Sequence, residues 1–174
     1  NGISMHVAEA GGGFPVVMCH GWPELGYSWR HQMAPLAAAG YRVVAPDMRG
    51  YGGTDAPEAV DQYTILHHVG DVIGLLDALE APQAVIVGHD WGGLICFVFT
   101  MYHPELVDKL IICNAPHPYL FERELNENPW QQYSSNYMLR INGYGHDDEP
   151  KFPDTIPHDA AIKQFETGWV ADQV

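Results

Sequence analysis

The sequence predicts an α/β protein built on a doubly wound, mostly parallel β-sheet. Short apolar runs alternate with helical segments along its first 118 residues. The continuous apolar runs at Phe14–Cys19 and Ala84–Val87 are typical of strands buried on both faces. Because parallel strands need a long crossover between them, this alternation favours a sheet covered by helices.

Periodicity and end signals place the elements in order. Ile3, Met5 and Val7 alternate with polar residues, as in a half-buried strand, and three glycines follow shortly afterwards. Gly40 is placed to end the first helix, and Thr64 is a suitable N-cap for the second. We therefore expect strands at about residues 3–10, 14–19, 41–45, 84–87 and 109–113, and helices at about residues 29–37, 65–79 and 92–102.

The chain changes character after Pro118. From Tyr119 onward it is aromatic and polar by turns, is interrupted by prolines and shows no strand pattern. We expect residues 1–118 to form the N-terminal part of the core domain. Residues 119–174 are predicted to begin a helical cap, with an uncertain boundary after about residue 143.

Composition narrows the classes of partner. Eight Lys and Arg against 22 Asp and Glu give a formal net charge of −14, which disfavours binding to nucleic acids and anionic membranes. No apolar run approaches the roughly 18 residues of a membrane span. The three cysteines lie in apolar segments, so we expect buried, reduced thiols and a cytoplasmic location. No spacing indicates a metal site or an organic cofactor.

The strongest chemical signal is a glycine-flanked turn around Asp90. Residues 86–93 read Ile-Val-Gly-His-Asp-Trp-Gly-Gly, between a predicted strand and an apolar helix. This is the pattern of a nucleophile elbow, in which a strained turn exposes the central side chain. Gly88 and Gly92 are the small residues that such a turn requires. The pattern predicts Asp90 as a carboxylate nucleophile.

A second motif, His20-Gly21-Trp22-Pro23, directly follows the strand that ends at Cys19. In a doubly wound sheet, the loops after the strands gather at one edge, so this motif is expected beside Asp90. A backbone N–H from this loop and the one after the nucleophile can together form an oxyanion hole.

With these motifs the sequence resembles the α/β-hydrolase superfamily, and within it the epoxide hydrolases and their haloalkane dehalogenase relatives. The resemblance implies that Asp90 attacks the substrate and that the N–H groups of Trp22 and Trp91 form the oxyanion hole. It also implies a cis bond before Pro23 and structural hydrogen bonds from His20 and His89. The residues that carry it lie in five blocks: His20-Gly21-Trp22-Pro23, Tyr27-Ser28-Trp29-Arg30, Ala45 to Gly52, Gly88-His89-Asp90-Trp91-Gly92 and Asn114 to Pro118.

Three positions favour an epoxide hydrolase over a dehalogenase. By resemblance, haloalkane dehalogenases place Asn at Trp22 and often an acid at Asn114, whereas fluoroacetate dehalogenases place Arg at Trp91. The predicted substrates are a small apolar epoxide and water. A dehalogenase with the same nucleophile is the alternative activity, and a catalytically inactive binding module of the same fold is the alternative of another class.

In the epoxide hydrolases, two tyrosines of the cap protonate the epoxide oxygen. Tyr137 is the first candidate, and Tyr133 is the alternative, four residues earlier and expected on the same helix face. Packing within the cap is the third interpretation of both residues.

The resemblance also implies groups with no counterpart in this chain: a base histidine, its partner carboxylate and the second tyrosine. We expect a C-terminal segment beyond this chain, or a second copy of it, to complete the fold. His67, His68 and His103 are expected to be surface or packing residues.

Overall fold

The computed structural model describes residues 2–141 and contains a five-stranded mixed sheet. The strands are β1 (Val7–Gly11), β2 (Phe14–Cys19), β3 (Tyr41–Pro46), β4 (Ala84–His89) and β5 (Val107–Cys113). Their order across the sheet is β1-β3-β2-β4-β5. β1 is antiparallel to β3, and every other neighbouring pair is parallel. The predicted doubly wound, mostly parallel sheet is confirmed.

Helices cover both faces of this sheet. These helices are α1 (Arg30–Ala38), α2 (Ile65–Ala78) and α3 (Trp91–Tyr102). Three further helices follow β5 in the chain: α4 (Pro118–Glu127), α5 (Pro129–Ser134) and α6 (Asn136–Ile141). Leu76 of α2 and Phe99 of α3 pack with Val17, Val44 and Ile86 of the strands in one apolar cluster.

The other face of the sheet packs against the first helical segment. Val16, Val43 and Val85 point to this side and contact Met33 and Leu36 of α1. The buried strands are apolar on both faces because each face meets a helix layer.

The first strand ends at Gly11, where the glycines predict its end, but it begins later than the alternation of Ile3, Met5 and Val7 predicts. It starts at Val7, because the preceding residues hold a loop instead of a neighbouring strand. The carbonyl of His6 accepts a hydrogen bond from the Asp47 N–H at 2.9 Å, and that of Ser4 accepts one from the Asp55 N–H at 3.0 Å. The alternation of apolar and polar residues alone cannot distinguish a strand paired in the sheet from an extended loop.

The chain divides into two compact units, and the boundary along the chain lies between Phe121 and Glu122. The assignment of the second unit to a cap stays a prediction, and His146 and His158 lie outside the described residues. No helix in the described part of the chain is long and apolar enough to cross a membrane. The three cysteines are unbridged; Cys19 and Cys96 are buried as expected, whereas Cys113 is only half-buried.

Candidate active site

Asp90 lies on the strained turn that the sequence predicts between β4 and α3. Its φ of 52° and ψ of −118° are unusual for a residue with a side chain. A Cβ at Gly88 would lie 2.6 Å from the Gly92 carbonyl oxygen. A Cβ at Gly92 would lie 2.5 Å from the carbonyl oxygens of both Cys19 and His20. The turn therefore brings backbones so close that both positions require glycine.

The loop after β2 lies against this turn, as predicted. The Trp22 N–H donates a hydrogen bond to Oδ1 of Asp90 at 3.0 Å. A Cβ at Gly21 would meet the Asp90 Cβ at 2.5 Å, so Gly21 also has to be a glycine. The Trp22–Pro23 bond is cis, as the resemblance implied. One carboxylate oxygen is thus held by a backbone donor, and Oδ2 remains the candidate attacking atom.

Trp91 is the first residue of α3 and directly follows Asp90. Both Trp22 and Trp91 are 49% exposed. The contribution of the Trp91 N–H to an oxyanion hole stays a prediction.

His20 is a buried structural residue with both ring nitrogens engaged. Nδ1 lies 2.8 Å from the carbonyl oxygen of Gly21, and Nε2 accepts a hydrogen bond from the Met48 N–H at 2.9 Å. We therefore assign the proton to Nδ1. Burial lowers the pKa of His20, which favours this neutral form. The ring fastens the loop after β2 to the loop after β3.

His89 forms a pair that the sequence reasoning missed. Its Nδ1 lies 2.8 Å from Oε2 of Glu24, and the same oxygen accepts a hydrogen bond from the Gly21 N–H at 3.3 Å. Glu24 thereby joins the end of β4 to the loop that carries Trp22. The only signal in the sequence was its place, one residue after the His-Gly-Trp-Pro motif.

Asp47, also missed as a site-supporting residue, organises the loop after β3. Its carboxylate accepts hydrogen bonds from the N–H groups of Gly26 and Gly53 and contacts Nδ1 of His6 at 2.9 Å. Burial opposes the charged form of Asp47, but these hydrogen bonds lower its pKa below the usual range.

A buried ion pair with α2 also stabilises the loop after β3. Two guanidinium nitrogens of Arg49 donate to the two carboxylate oxygens of Asp71 at 2.7 Å each. Both side chains are almost completely buried. The bidentate geometry fixes the loop against α2.

A hollow of about 390 Å³ opens beside the Asp90 turn. We call it the elbow hollow; its walls include His20, Gly21, Met48, Tyr51, His68 and Trp91. The His68 ring, expected at the surface or in packing, therefore lines this cavity. Burial and the negative charge of Asp90 raise the pKa of Tyr51, which keeps its hydroxyl protonated.

The two candidate tyrosines lie in different helices, which corrects the expectation of a shared helix face. Tyr133 belongs to α5 and Tyr137 to α6, and the helices are separated at Ser135. The side chain of Asn128 accepts a hydrogen bond from the Trp130 N–H at 3.0 Å and is the N-cap of α5. Both tyrosines are about half exposed. Their catalytic role stays a prediction.

Three further histidines, His67, His103 and His117, contact neighbouring side chains. His117 packs edge-on against Phe97, and His103 lies 3.4 Å from the carboxylate of Glu105. The His67 ring contacts the Thr64 hydroxyl at 2.8 Å, so Thr64 begins α2 without a side-chain cap on the backbone. Residues 2–141 contain no cluster of three or more His, Cys, Asp or Glu side chains arranged to hold a metal ion.

A strained turn carrying a carboxylate, approached by a backbone donor at the carboxyl edge of this sheet, defines a hydrolase core. The family model described as alpha/beta hydrolase fold matches residues 15–141. The chain therefore belongs to the alpha/beta hydrolase fold family.

Within this family the chain is similar to epoxide hydrolases. It is 51% identical over 111 residues to "Epoxide hydrolase 2" of Siraitia grosvenorii, covering 64% of this chain and 35% of that protein. It is 53% identical over 116 residues to "Epoxide hydrolase" of Caballeronia sordidicola, covering 67% and 35%. The crystal structure of epoxide hydrolase A from Mycobacterium thermoresistibile aligns with a TM-score of 0.62 at 46% identity, over 64% of this chain and 35% of that one. The chain thus spans about a third of the length of these relatives.

Proposed function

We propose that the protein carrying this chain opens an epoxide to a vicinal diol through a covalent ester on Asp90. The observation that supports this most is the hydrogen bond of 3.0 Å from the Trp22 N–H to Oδ1 of Asp90 on a strained turn. The named activity of the matched epoxide hydrolases supports the same reaction.

In the first step, Oδ2 of Asp90 attacks a carbon of the epoxide, and the bond from that carbon to the ring oxygen breaks. The released alkoxide needs a proton, for which we propose the hydroxyl of Tyr137, with Tyr133 as the alternative. The product is an ester whose carbonyl oxygen is Oδ1, still beside the Trp22 N–H.

In the second step, water attacks the carbonyl carbon of this ester. Negative charge develops on Oδ1, where the N–H groups of Trp22 and Trp91 stabilise it. The bond from the acyl carbon to Oδ2 then breaks, and the diol leaves with Oδ2 as one of its hydroxyl oxygens, while the oxygen from water remains in the Asp90 carboxylate. His20 is unsuited to take the proton from water because both of its nitrogens are engaged. We propose a base histidine from sequence beyond this chain.

A substitution at Asp90 tests this function in the full-length protein. Asp90→Ala should abolish the conversion of racemic styrene oxide to its diol, because the attacking oxygen is lost. Asp108→Ala, which removes an exposed carboxylate paired with Lys109 on β5, is the matched control and should keep the activity. Diol formation by Asp90→Ala at the rate of the unmodified protein would contradict the proposal.

A halide-release assay on the same protein separates the alternatives. Release of halide from a haloalkane without diol formation would identify a dehalogenase that uses the same nucleophile. The absence of both activities would favour a binding module of this fold.

A further inference from the structure

We propose that the elbow hollow receives the non-reacting substituent of the substrate and that His68 selects a substituent with an oxygen acceptor. The N–H at Nε2 of His68 donates a hydrogen bond to that oxygen. The proposal rests on the proposed function only in naming the ligand as part of an epoxide substrate.

The position of the hollow supports this role. Gly21, one of its wall residues, lies in contact with the Asp90 side chain, and Trp91 is the next residue along the chain. The hollow is therefore adjacent to the turn that carries Asp90. The volume of about 390 Å³ falls within the range of small-molecule sites and suits a phenyl-sized substituent.

The walls of the hollow are rich in apolar side chains, so each polar group there, including the hydroxyls of Tyr51 and Tyr63, has a strong effect on selectivity. Met48, Ile65, Leu94 and Ile95 contribute apolar surface. The His20 ring also lines the hollow, but its two nitrogens are already engaged. The ring of His68 is the other imidazole in this wall.

The hydrogen-bonding state of His68 follows from its surroundings. Its Nδ1 is buried and has no hydrogen-bond partner among residues 2–141. Burial lowers the pKa of His68, so the ring is neutral and carries one proton. We assign that proton to Nε2, because an N–H buried without an acceptor is rarer in proteins than an unpaired acceptor. Because the ring lines the hollow, we propose Nε2 as the donor to a molecule bound there.

The chemistry of this donor defines the preferred substituent. A neutral imidazole N–H donates to an ether, carbonyl or hydroxyl oxygen, whereas a hydrocarbon leaves it without a partner. The substrate class is therefore an epoxide with an aryl or alkyl group that bears an oxygen near the ring.

Binding of two diols to the full-length protein tests the proposal without requiring turnover. The diols are 3-phenoxypropane-1,2-diol and 4-phenylbutane-1,2-diol, which differ by an ether oxygen in place of a methylene group. Their affinities are measured by fluorescence, since Trp91 lines the hollow. The unmodified protein should bind the phenoxy diol about fivefold more tightly, the effect of one net hydrogen bond.

Substitutions assign the preference to His68. His68→Leu should remove it, whereas His68→Gln should retain it because the glutamine amide nitrogen can replace Nε2. His67→Leu is the matched control, since His67 contacts Thr64 and is not part of the hollow wall; it should also retain the preference. Should His68→Leu fail to fold, NMR of the unmodified protein still tests the contact: the Nε2 resonance of His68 should shift with the phenoxy diol and not with its analogue.

Equal affinities in the unmodified protein, no binding of either diol, or a preference that survives in folded His68→Leu would overturn the proposal. A preference for the phenoxy diol in a protein that opens no epoxide would support this proposal and refute the proposed function. Epoxide opening without a preference for the phenoxy diol would support the proposed function and refute the role of His68.

Discussion

Replacing Gly92 by alanine tests the close approach on which the site geometry depends. The new Cβ would lie 2.5 Å from the carbonyl oxygens of both Cys19 and His20, whereas ordinary contacts begin near 3.4 Å. Both neighbours are backbone atoms, so α3 and the end of β2 must separate by close to 1 Å. Such overpacking costs about 3 kcal/mol, and the higher helix propensity of alanine recovers about 1 kcal/mol. We expect a net loss of about 2 kcal/mol.

The same displacement should also impair catalysis. It moves the loop that carries the Trp22 N–H away from Asp90, and a misplacement of this size reduces turnover by roughly 10²-fold. Urea unfolding should show a midpoint lowered by roughly 0.7–2 M at typical slopes. Gly12→Ala is the control, because its Cβ would meet nothing within 4 Å. A Gly92→Ala protein with unchanged midpoint and unchanged turnover would refute this reasoning.

Three further predictions concern other parts of the site. Asp71→Asn should destabilise the protein by about 3–5 kcal/mol, because it leaves the buried Arg49 charge unpaired; an unchanged urea midpoint would contradict this. The lowered pKa of His20 means that the unfolded chain takes up the proton first, so its contribution to stability is complete above pH 6.5 and decreases as the pH falls below that value. Unfolding measured from pH 7.5 to 5 should show this loss, and His20→Gln should show less of it. Tyr137→Phe should slow epoxide opening by roughly 10²- to 10⁴-fold. Equal rates for the unmodified protein and the variant would show that Tyr137 is not the acid.

The sequence predicted the fold and the strained turn at Asp90 because both depend on local patterns. The short apolar runs at β2 and β4 are typical of strands buried on both faces, and the glycines around Asp90 are typical of a tight turn. The approach of Trp22 followed from the rule that loops after parallel strands meet at one edge. The structure confirms that approach by the hydrogen bond to Asp90.

The supporting contacts could not be predicted in the same way. Glu24 and His89, or Arg49 and Asp71, are far apart in the chain, and no periodicity links them. The role of His68 depends on a cavity whose walls come from four separate segments. Ser135 separates α5 from α6 although the helical spacing of the tyrosines fits one continuous helix.

The covalent ester on Asp90 is tested most directly by a single turnover in water labelled with ¹⁸O. Full-length protein in excess over styrene oxide is allowed to react once, and the diol and the peptide containing Asp90 are analysed by mass spectrometry. Attack by Oδ2, followed by hydrolysis at the acyl carbon, transfers an unlabelled carboxylate oxygen to the diol and leaves ¹⁸O in Asp90. The account predicts an unlabelled diol and a labelled Asp90 peptide. A diol labelled in the first turnover, with Asp90 unlabelled, would show that water attacks the epoxide directly and would contradict the account.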